Sequence, residues 1–340
     1  MEIKKNEKLS RHCTFNTGGN ARFFCEVSSD KDIKKALDFC RENKIPFFVL
    51  GEGSNLLISD KGFQGLVIKN CFRGIKKVSE NENYVVIKIR AGESWKNVVD
   101  FAIKNKLYGI ENLSGIPGTA GASAVQNIGA YGSEAKDIIL SVGGINAISL
   151  NDFLLKNNKC CFEYRNSIFK RNRNLIVTDV YFKFSKKFFP ILNYAGLRDL
   201  IEEKYSGKIT SKNIQKTVLL MRENKLPKLK KYGSAGSFFK NPIIREKKYL
   251  NLEKKYPGLP KFVAKNGFVK IPAGYLIDKI CGLKGLRKNN VGLYEKQALV
   301  LVNYGKATTS EINLFANFVE KKVFEKTGIK MEREVEKIGF

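Results

Sequence analysis

The chain has one histidine, His12, in 340 residues. A histidine-centred relay or a multi-histidine metal site needs more, so proton transfer must fall to Ser, Tyr, Lys, Cys or a carboxylate. His12 itself reads as structural or exposed. Seven cysteines, an odd number with no CxxC, exclude a disulfide framework and a cysteine zinc site. Adjacent Cys160 and Cys161 are poorly placed to bridge each other, and all seven read as reduced thiols. The sequence also lacks an apolar run long enough to span a bilayer, an apolar signal core in MEIKKNEKLSRHC, internal repeats and low-complexity linkers. A soluble cytoplasmic protein is the expectation.

Acids are scarce: 33 Asp and Glu against 61 Lys and Arg give a formal net charge of +28. Such an excess is a nucleic-acid signal, because phosphate neutralisation drives that binding. Here lysine is spread along the whole chain, without an RNP-like aromatic motif, zinc finger or continuous basic arm. It reads as compositional drift on a solvated surface that also attracts anionic ligands, with no nucleic-acid and no membrane partner. Length beyond the size of one core, with 43% hydrophobic residues, predicts two or three domains.

Glycine and small residues are concentrated in LSGIPGTAGASAVQNIGAYGSE, Leu113 to Glu134. Bare backbone there lets something large and flat approach main-chain N–H groups. Ile45 to Asp60, IPFFVLGEGSNLLISD, reads as an apolar strand, a tight turn at Gly51 and Gly53, and a second strand. Taken alone, GEG is as well suited to a hairpin turn as to a phosphate cradle. It fails the dinucleotide fingerprint, since the third glycine is missing and no clear amphipathic helix follows. Two such loops in one chain favour a nucleotide cofactor.

Helical spacing of Ile33, Ala36, Leu37 and Cys40 predicts a helix from Asp30, and WKNVVDFAIKNKLYG predicts another ending near Gly109. GLVIKN, YVVIKIRAG and residues Gly143 to Leu150 read as strands. LRDLIEEKYS and SKNIQKTVLLMRENK read as helices ending before Pro227, and Ser310 to Thr327 as a last helix. This order fits an α+β fold better than repeated βαβ winding.

Both glycine loops, with CTFNTGGNARF, FEYRNSIFK, PILNYAGL, MRENKLP, GSAGSFFKNP, AGYLIDKICGLKG, KQALVLVN and EREVEKIG in that order, resemble the UDP-N-acetylenolpyruvoylglucosamine reductase family. NYAGL resembles the form with a tyrosine-bearing substrate loop. The resemblance implies a two-part FAD-binding domain of the vanillyl-alcohol-oxidase/PCMH type plus a smaller α+β substrate domain. Its divisions would be residues 1–72 and 73–225 for FAD, 226–330 for substrate, and 331–340 returning to the active site. It further implies FAD, NADPH as reductant and UDP-N-acetylglucosamine enolpyruvate as substrate; no histidine lies in the glycine loops, so the FAD is expected to be non-covalent, and a monomer is the default expectation.

The same resemblance implies roles. Gly51, Glu52, Gly53, Ser54 and Asn55 would meet the FAD phosphates, while Gly118, Thr119, Ala120, Gly121 and the NIGAYG turn would face the flavin or its ribityl chain. Ser237 would protonate the carbon beside the substrate carboxylate after hydride reaches the vinyl carbon. A carbanion or enolate there is basic enough for a well-placed hydroxyl. Arg165 would hold the carboxylate and its spreading charge, and Glu334 would orient the substrate. Tyr194, Lys225, Asn241 and Gln297 would contact the sugar nucleotide. Read without the resemblance, Ser237 is a turn residue bonding its own backbone, Arg165 a surface cation beside Tyr164, and Glu334 one charge on a solvated strand. The chain departs from the family pattern in the loop LRKNNVG, residues 286–292, and at Glu336.

Overall fold

The Ser29 side chain accepts a hydrogen bond from the N–H of Asp32 and so starts a helix at Asp30–Glu42. Its buried residues are the predicted Ile33, Ala36, Leu37 and Cys40. The helix ends with Lys44 at φ 50, where the N–H of Lys44 bonds Arg41 and that of Ile45 bonds Cys40. The helix Trp95–Lys104 ends the same way: Lys106 sits at φ 54, bonded to Ile103, and Leu107 bonds Ala102. Gly109 is therefore not the cap that the sequence suggested. Lysine occupies a left-handed position usually held by glycine, at a cost of about 1 kcal/mol.

The computed structural model describes all residues but Lys265 and forms two units, each assembled from separated stretches. The first contains Met1–Glu7, Ala21–Glu52 and Gln64–Arg222; the second contains Lys8–Asn20, Gly53–Phe63 and Glu223–Phe340.

In the first unit, a four-stranded sheet runs in the order Ile3–Lys8, Asn20–Val27, Phe63–Asn70, Phe47–Leu50, the last two parallel. The Asp30–Glu42 helix closes one core over it with Cys25, Val27, Leu66 and Ile68. A second, five-stranded antiparallel sheet has the order Asp152–Lys156, Ile139–Asn146, Leu175–Ser185, Tyr84–Arg90, Ile75–Glu80. Trp95, Val98, Ala120 and Ala124, from two helices, pack on its Ile87, Ile89, Val180 and Phe182. The strand expected over 143–150 lies earlier, at Ile139–Asn146. Gly143 and Gly144 sit mid-strand where the register with Leu175–Ser185 shifts.

In the second unit, a small sheet joins Ile243–Arg245, Phe268–Lys270 and Phe262–Val263, and another joins Arg287–Lys288, Val291–Tyr294 and Gln297–Asn303. The departing loop 286–292 thus folds as a tight hairpin, with Lys288 paired to Val291 across Asn289 and Asn290. Leu56–Ile58 pairs in parallel with Glu336–Ile338. The helix Thr309–Thr327 starts with a reciprocal cap between Thr308 and Glu311.

Asp60 adds to that helix start. Its carboxylate accepts from the N–H groups of Thr309 and Ser310, each at 2.8 Å. Burial opposes ionisation, yet these donors and the Ser310 hydroxyl hold the carboxyl below its ordinary 3.8. A depressed folded value means the contribution is complete above pH 3.8 and is lost as pH falls through the lower folded value. Asp60→Ala should cost about 1 kcal/mol at neutral pH. The difference from wild type, measured by urea unfolding, should shrink in acid below the ordinary carboxylate range; a gap independent of pH would assign the loss to packing.

Among the described residues no helix is long and apolar enough to cross a membrane, and no cluster of His, Cys, Asp or Glu is arranged to hold a metal.

Candidate active site

The GEGSN segment is not a hairpin. Its flanking strands pair with different partners, Phe47–Leu50 with Phe63–Asn70 and Leu56–Ile58 with Glu336–Ile338, and the chain passes from the first unit to the second at Gly53. In the first unit the two glycine loops meet: a Cβ on Gly51 would lie 3.2 Å from Thr119 Oγ1 and 3.8 Å from Ala122 Cβ. The Glu52 carboxylate accepts from the Gly118 N–H at 2.9 Å. The N–H groups of Ala120 and Gly121 bond Glu93 and Ala91, so Gly118, Ala120 and Gly121 offer a ligand absence of bulk rather than free donors. By contrast, the N–H groups of Gly51, Glu52 and Gly53 donate to no protein acceptor among the described residues. Consecutive donors beside bulk-free backbone suit the phosphates and ring of FAD.

Gly51 has an ordinary backbone conformation, and the nearest atoms to its missing Cβ belong to side chains. Gly51→Ala should therefore fold with nearly unchanged thermal stability but bind FAD about tenfold more weakly, because each 1.4 kcal/mol of lost fit is a factor of ten. Equilibrium dialysis of the flavin checks this, and unchanged affinity would remove Gly51 from the cofactor contacts.

Arg165 stands at the tip of a two-residue turn closed by reciprocal hydrogen bonds between Glu163 and Asn166. Its φ of 56 is unfavourable for a side chain of this size. The turn is held by its surroundings: Arg165 donates to the Gly129 carbonyl at 2.6 Å, and Lys170 donates to the Arg165 carbonyl at 3.3 Å. Asn127, fully buried and left-handed at the end of the helix Ala120–Gln126, donates to the Glu163 carbonyl and to Glu134. It also accepts from the Lys136 N–H. The YRN turn is thereby fastened to NIGAYG.

A second buried asparagine, Asn112, donates to the carbonyls of Tyr131 at 2.7 Å and Ile191 at 2.9 Å. It ties NIGAYG to the segment that carries Tyr194. The rings of Tyr131 and Tyr194 meet edge to face at 4.7 Å. Burial pushes the Tyr131 hydroxyl up to about 12, with Arg222 pulling it down and Tyr194 adding to the rise. Burial also lowers the Arg222 pKa, opposed by Tyr131, and its Nε donates to the Gly115 carbonyl at 3.0 Å. The sequence reading singled out none of Asn112, Asn127 and Arg222. The one available signal was polar side chains inside otherwise small or apolar runs, where a buried amide must find partners.

In the second unit, Ser237 and Glu334 lie on neighbouring backbone segments. The Glu334 N–H donates to the Phe238 carbonyl at 2.9 Å, and Ser237 forms a bridge with Val300. Ser234, not Ser237, is the serine that bonds local backbone: its hydroxyl donates to Leu301 and accepts from the Gly236 N–H. The Ser237 hydroxyl, half-buried, makes no hydrogen bond among the described residues. Around Glu334 the other charges are engaged, Glu332 with Lys240 and Arg333 with Glu320, Asn313 and Asn317. Asn55 Nδ2 holds the Glu334 carbonyl at 3.1 Å. Asn241 accepts from the Ala273 N–H at 2.9 Å, and Gln297 Oε1 lies 3.2 Å from where a Cβ on Gly274 would be. These two predicted substrate contacts therefore meet at one helix start, Ala273–Tyr275. Lys225 ends the helix Ser211–Lys225, two residues before Pro227. The named site residues are thus divided between the units, with Arg165 and Tyr194 in the first and Lys225, Ser237, Asn241, Gln297 and Glu334 in the second.

Residues 21–147 match the family described as FAD binding domain, and residues 227–338 match the UDP-N-acetylenolpyruvoylglucosamine reductase C-terminal domain. The UDP-N-acetylenolpyruvoylglucosamine reductase of Flavobacterium johnsoniae is 39% identical over 98% of this chain and 99% of its own. The chain belongs to the UDP-N-acetylenolpyruvoylglucosamine reductase family. The reductase of Chromobacterium violaceum is 37% identical over 98% of each chain. A solved UDP-N-acetylenolpyruvylglucosamine reductase from Thermus caldophilus, 24% identical, shares the fold with a TM-score of 0.68 over 99% of this chain and 98% of that one. The α+β class and the FAD-binding domain expected from the sequence therefore stand, and the chain is an FAD-dependent oxidoreductase of this reductase family.

Proposed function

We propose that the chain reduces UDP-N-acetylglucosamine enolpyruvate to UDP-N-acetylmuramate with NADPH, as a cytoplasmic monomer serving peptidoglycan precursor synthesis. The observation that carries this reading is the 39% identity with the Flavobacterium johnsoniae reductase over nearly the full length of both chains.

Non-covalent FAD, when bound, supplies hydride transfer from NADPH to the vinyl carbon. Gly51, Glu52, Gly53, Ser54 and Asn55 hold its phosphates, and the bare backbone of Gly118, Thr119, Ala120 and Gly121 admits the ring system. Arg165 neutralises the substrate carboxylate and the charge that spreads into it, since a guanidinium matches a planar enolate bidentately. Ser237 gives its hydroxyl proton to the carbon beside that carboxylate, and Glu334 orients the substrate. Tyr194, Lys225, Asn241 and Gln297 hold the sugar nucleotide, with Lys225 opposing the diphosphate charge. Functionally the divisions are residues 1–72 and 73–225 for FAD, 226–330 for substrate, and 331–340 for Glu334. The support for Ser237 is its hydroxyl, uncommitted among the described residues, beside a serine that already serves the backbone.

The test is spectroscopic. The purified chain should be yellow, bleach with NADPH under nitrogen, and recolour when the enolpyruvyl sugar nucleotide is added. Recolouring only on admission of air would replace the reductase with an oxidase. A colourless protein that retards an oligonucleotide with steep salt dependence would replace it with a nucleic-acid binder.

A further inference from the structure

The Arg165 turn is held from residues 125–129. The Ser167 hydroxyl donates to the Val125 carbonyl at 2.7 Å, Lys170 Nζ donates to Gln126 Oε1, Asn127 Nδ2 donates to the Glu163 carbonyl at 2.9 Å, and Arg165 Nη2 donates to the Gly129 carbonyl at 2.6 Å. Gly129 also leaves room for the guanidinium, since a Cβ there would lie 2.9 Å from Arg165 Nη1. The turn has no sheet behind it: Glu163 and Asn166 form an isolated bridge outside the strands. Asn127 ends the helix Ala120–Gln126 at φ 45 and ψ 63, a conformation that glycine adopts more readily. A helix end alone therefore needs no side chain there. The amide that is present is fully buried and uses both its ends, Nδ2 on the Glu163 carbonyl and on Glu134, Oδ1 on the Lys136 N–H. The other end of the same helix is capped by the Thr119 side chain, within the loop 118–121. Seven helical residues, about 10 Å of rigid rise, thus join the loop that would admit the flavin to the turn that carries Arg165.

We propose that Asn127 is a positioning residue for substrate reduction: its amide, bonded to the Glu163 carbonyl, fixes where the Arg165 guanidinium stands relative to the flavin-facing loop. The inference rests on the role proposed above for Arg165 and names what that role requires. A φ of 56 is uphill for arginine, so the turn keeps it only while its surroundings enforce it. Lys170 shares that task, because its Nζ joins the Arg165 carbonyl, at 3.3 Å, to Gln126. A guanidinium displaced by about one ångström keeps its charge but loses its alignment with the enolate, and misplacement on that scale can cost about a hundredfold in rate. The Asn127 side chain, fully buried, is out of reach of either reactant. Its effect passes through Arg165.

The test is a double-mutant cycle on the full FAD-loaded chain, read by stopped-flow absorbance as the enolpyruvyl sugar nucleotide reoxidises the NADPH-reduced enzyme. Asn127→Gly keeps the left-handed backbone and removes only the amide, and it should slow that step by about ten- to a hundredfold with FAD still bound. In an Arg165→Ala background the same change should add less than about twofold, because a residue acting through the guanidinium then has nothing left to position. Asn127→Asp keeps the shape and the acceptor but loses the donor to Glu163, so it should follow Asn127→Gly rather than wild type. Should Asn127→Gly fail to fold or to hold FAD, Lys170→Met goes through the same cycle and must show the same loss of additivity. Full additivity with Arg165→Ala, or a wild-type rate in either Asn127 variant, would overturn the positioning role while leaving Arg165 its own. A wild-type rate in Arg165→Ala would instead remove Arg165 from the reaction, and the positioning role with it.

Discussion

Ser237→Ala is expected to retain FAD and to be bleached by NADPH at the wild-type rate, while turnover of the enolpyruvyl sugar nucleotide falls by about 10²–10⁴-fold, the usual worth of one positioned proton donor. The two half-reactions separate because only the second needs a proton delivered to carbon. Stability should hardly change, since the Ser237 hydroxyl has no hydrogen bond to lose among the described residues. Ser234→Ala supplies the opposite pattern. Its hydroxyl links Leu301 and Gly236 in a buried position, so removal should cost about 1–3 kcal/mol of stability with a smaller effect on the proton step. Stopped-flow absorbance for each half-reaction, with thermal unfolding beside it, distinguishes the two serines. Normal substrate turnover in Ser237→Ala would end the assignment.

Gly53→Ala should be severely destabilising, by more than about 3 kcal/mol. A Cβ there would meet the His12 carbonyl oxygen at 2.0 Å, and the φ of 65 is itself disfavoured for alanine. The obstruction is backbone, which cannot swing aside as the end of a side chain can. The Gly53 carbonyl also accepts from the Thr14 N–H at 3.1 Å, so the strain falls on the contact between GEGSN and CTFNTGG. Urea unfolding should give a much lower midpoint than Gly51→Ala, whose neighbours are side chains. Equal midpoints for the two alanines would refute this division of labour between the glycines.

That contrast also shows how much of the site was legible in the sequence. GEG announced a glycine-dependent loop, but the letters could not say that Gly53 accommodates the protein's own carbonyl while Gly51 remains available to a ligand. Helix Asp30–Glu42 was readable because four apolar residues at helical spacing meet one core. Its end was not, because Lys44 adopts a conformation that composition assigns to glycine. The strand expected over 143–150 begins earlier, at Ile139, and pairing on both sides keeps Gly143 and Gly144 within the sheet. Arg165, Ser237 and Glu334 became candidates only through whole-motif resemblance, since each alone resembles an ordinary surface or turn residue. Asn112 and Asn127 escaped because their work is to hold carbonyls distant in the chain, and such partners leave no local pattern.

The interleaving of the two units has a consequence for how the protein is made. Residues Lys8–Asn20 belong with Glu223–Phe340: Phe15 accepts from Asn303, and Thr14 accepts from Ser234. A ribosome releases those early residues long before their partners exist, so the second unit cannot close during most of translation and must await the last stretch of chain. Expression of residues 223–340 alone would omit both the Phe15 and Leu56–Ile58 contributions, leaving a fragment with open sheet edges and a poor prospect of solubility.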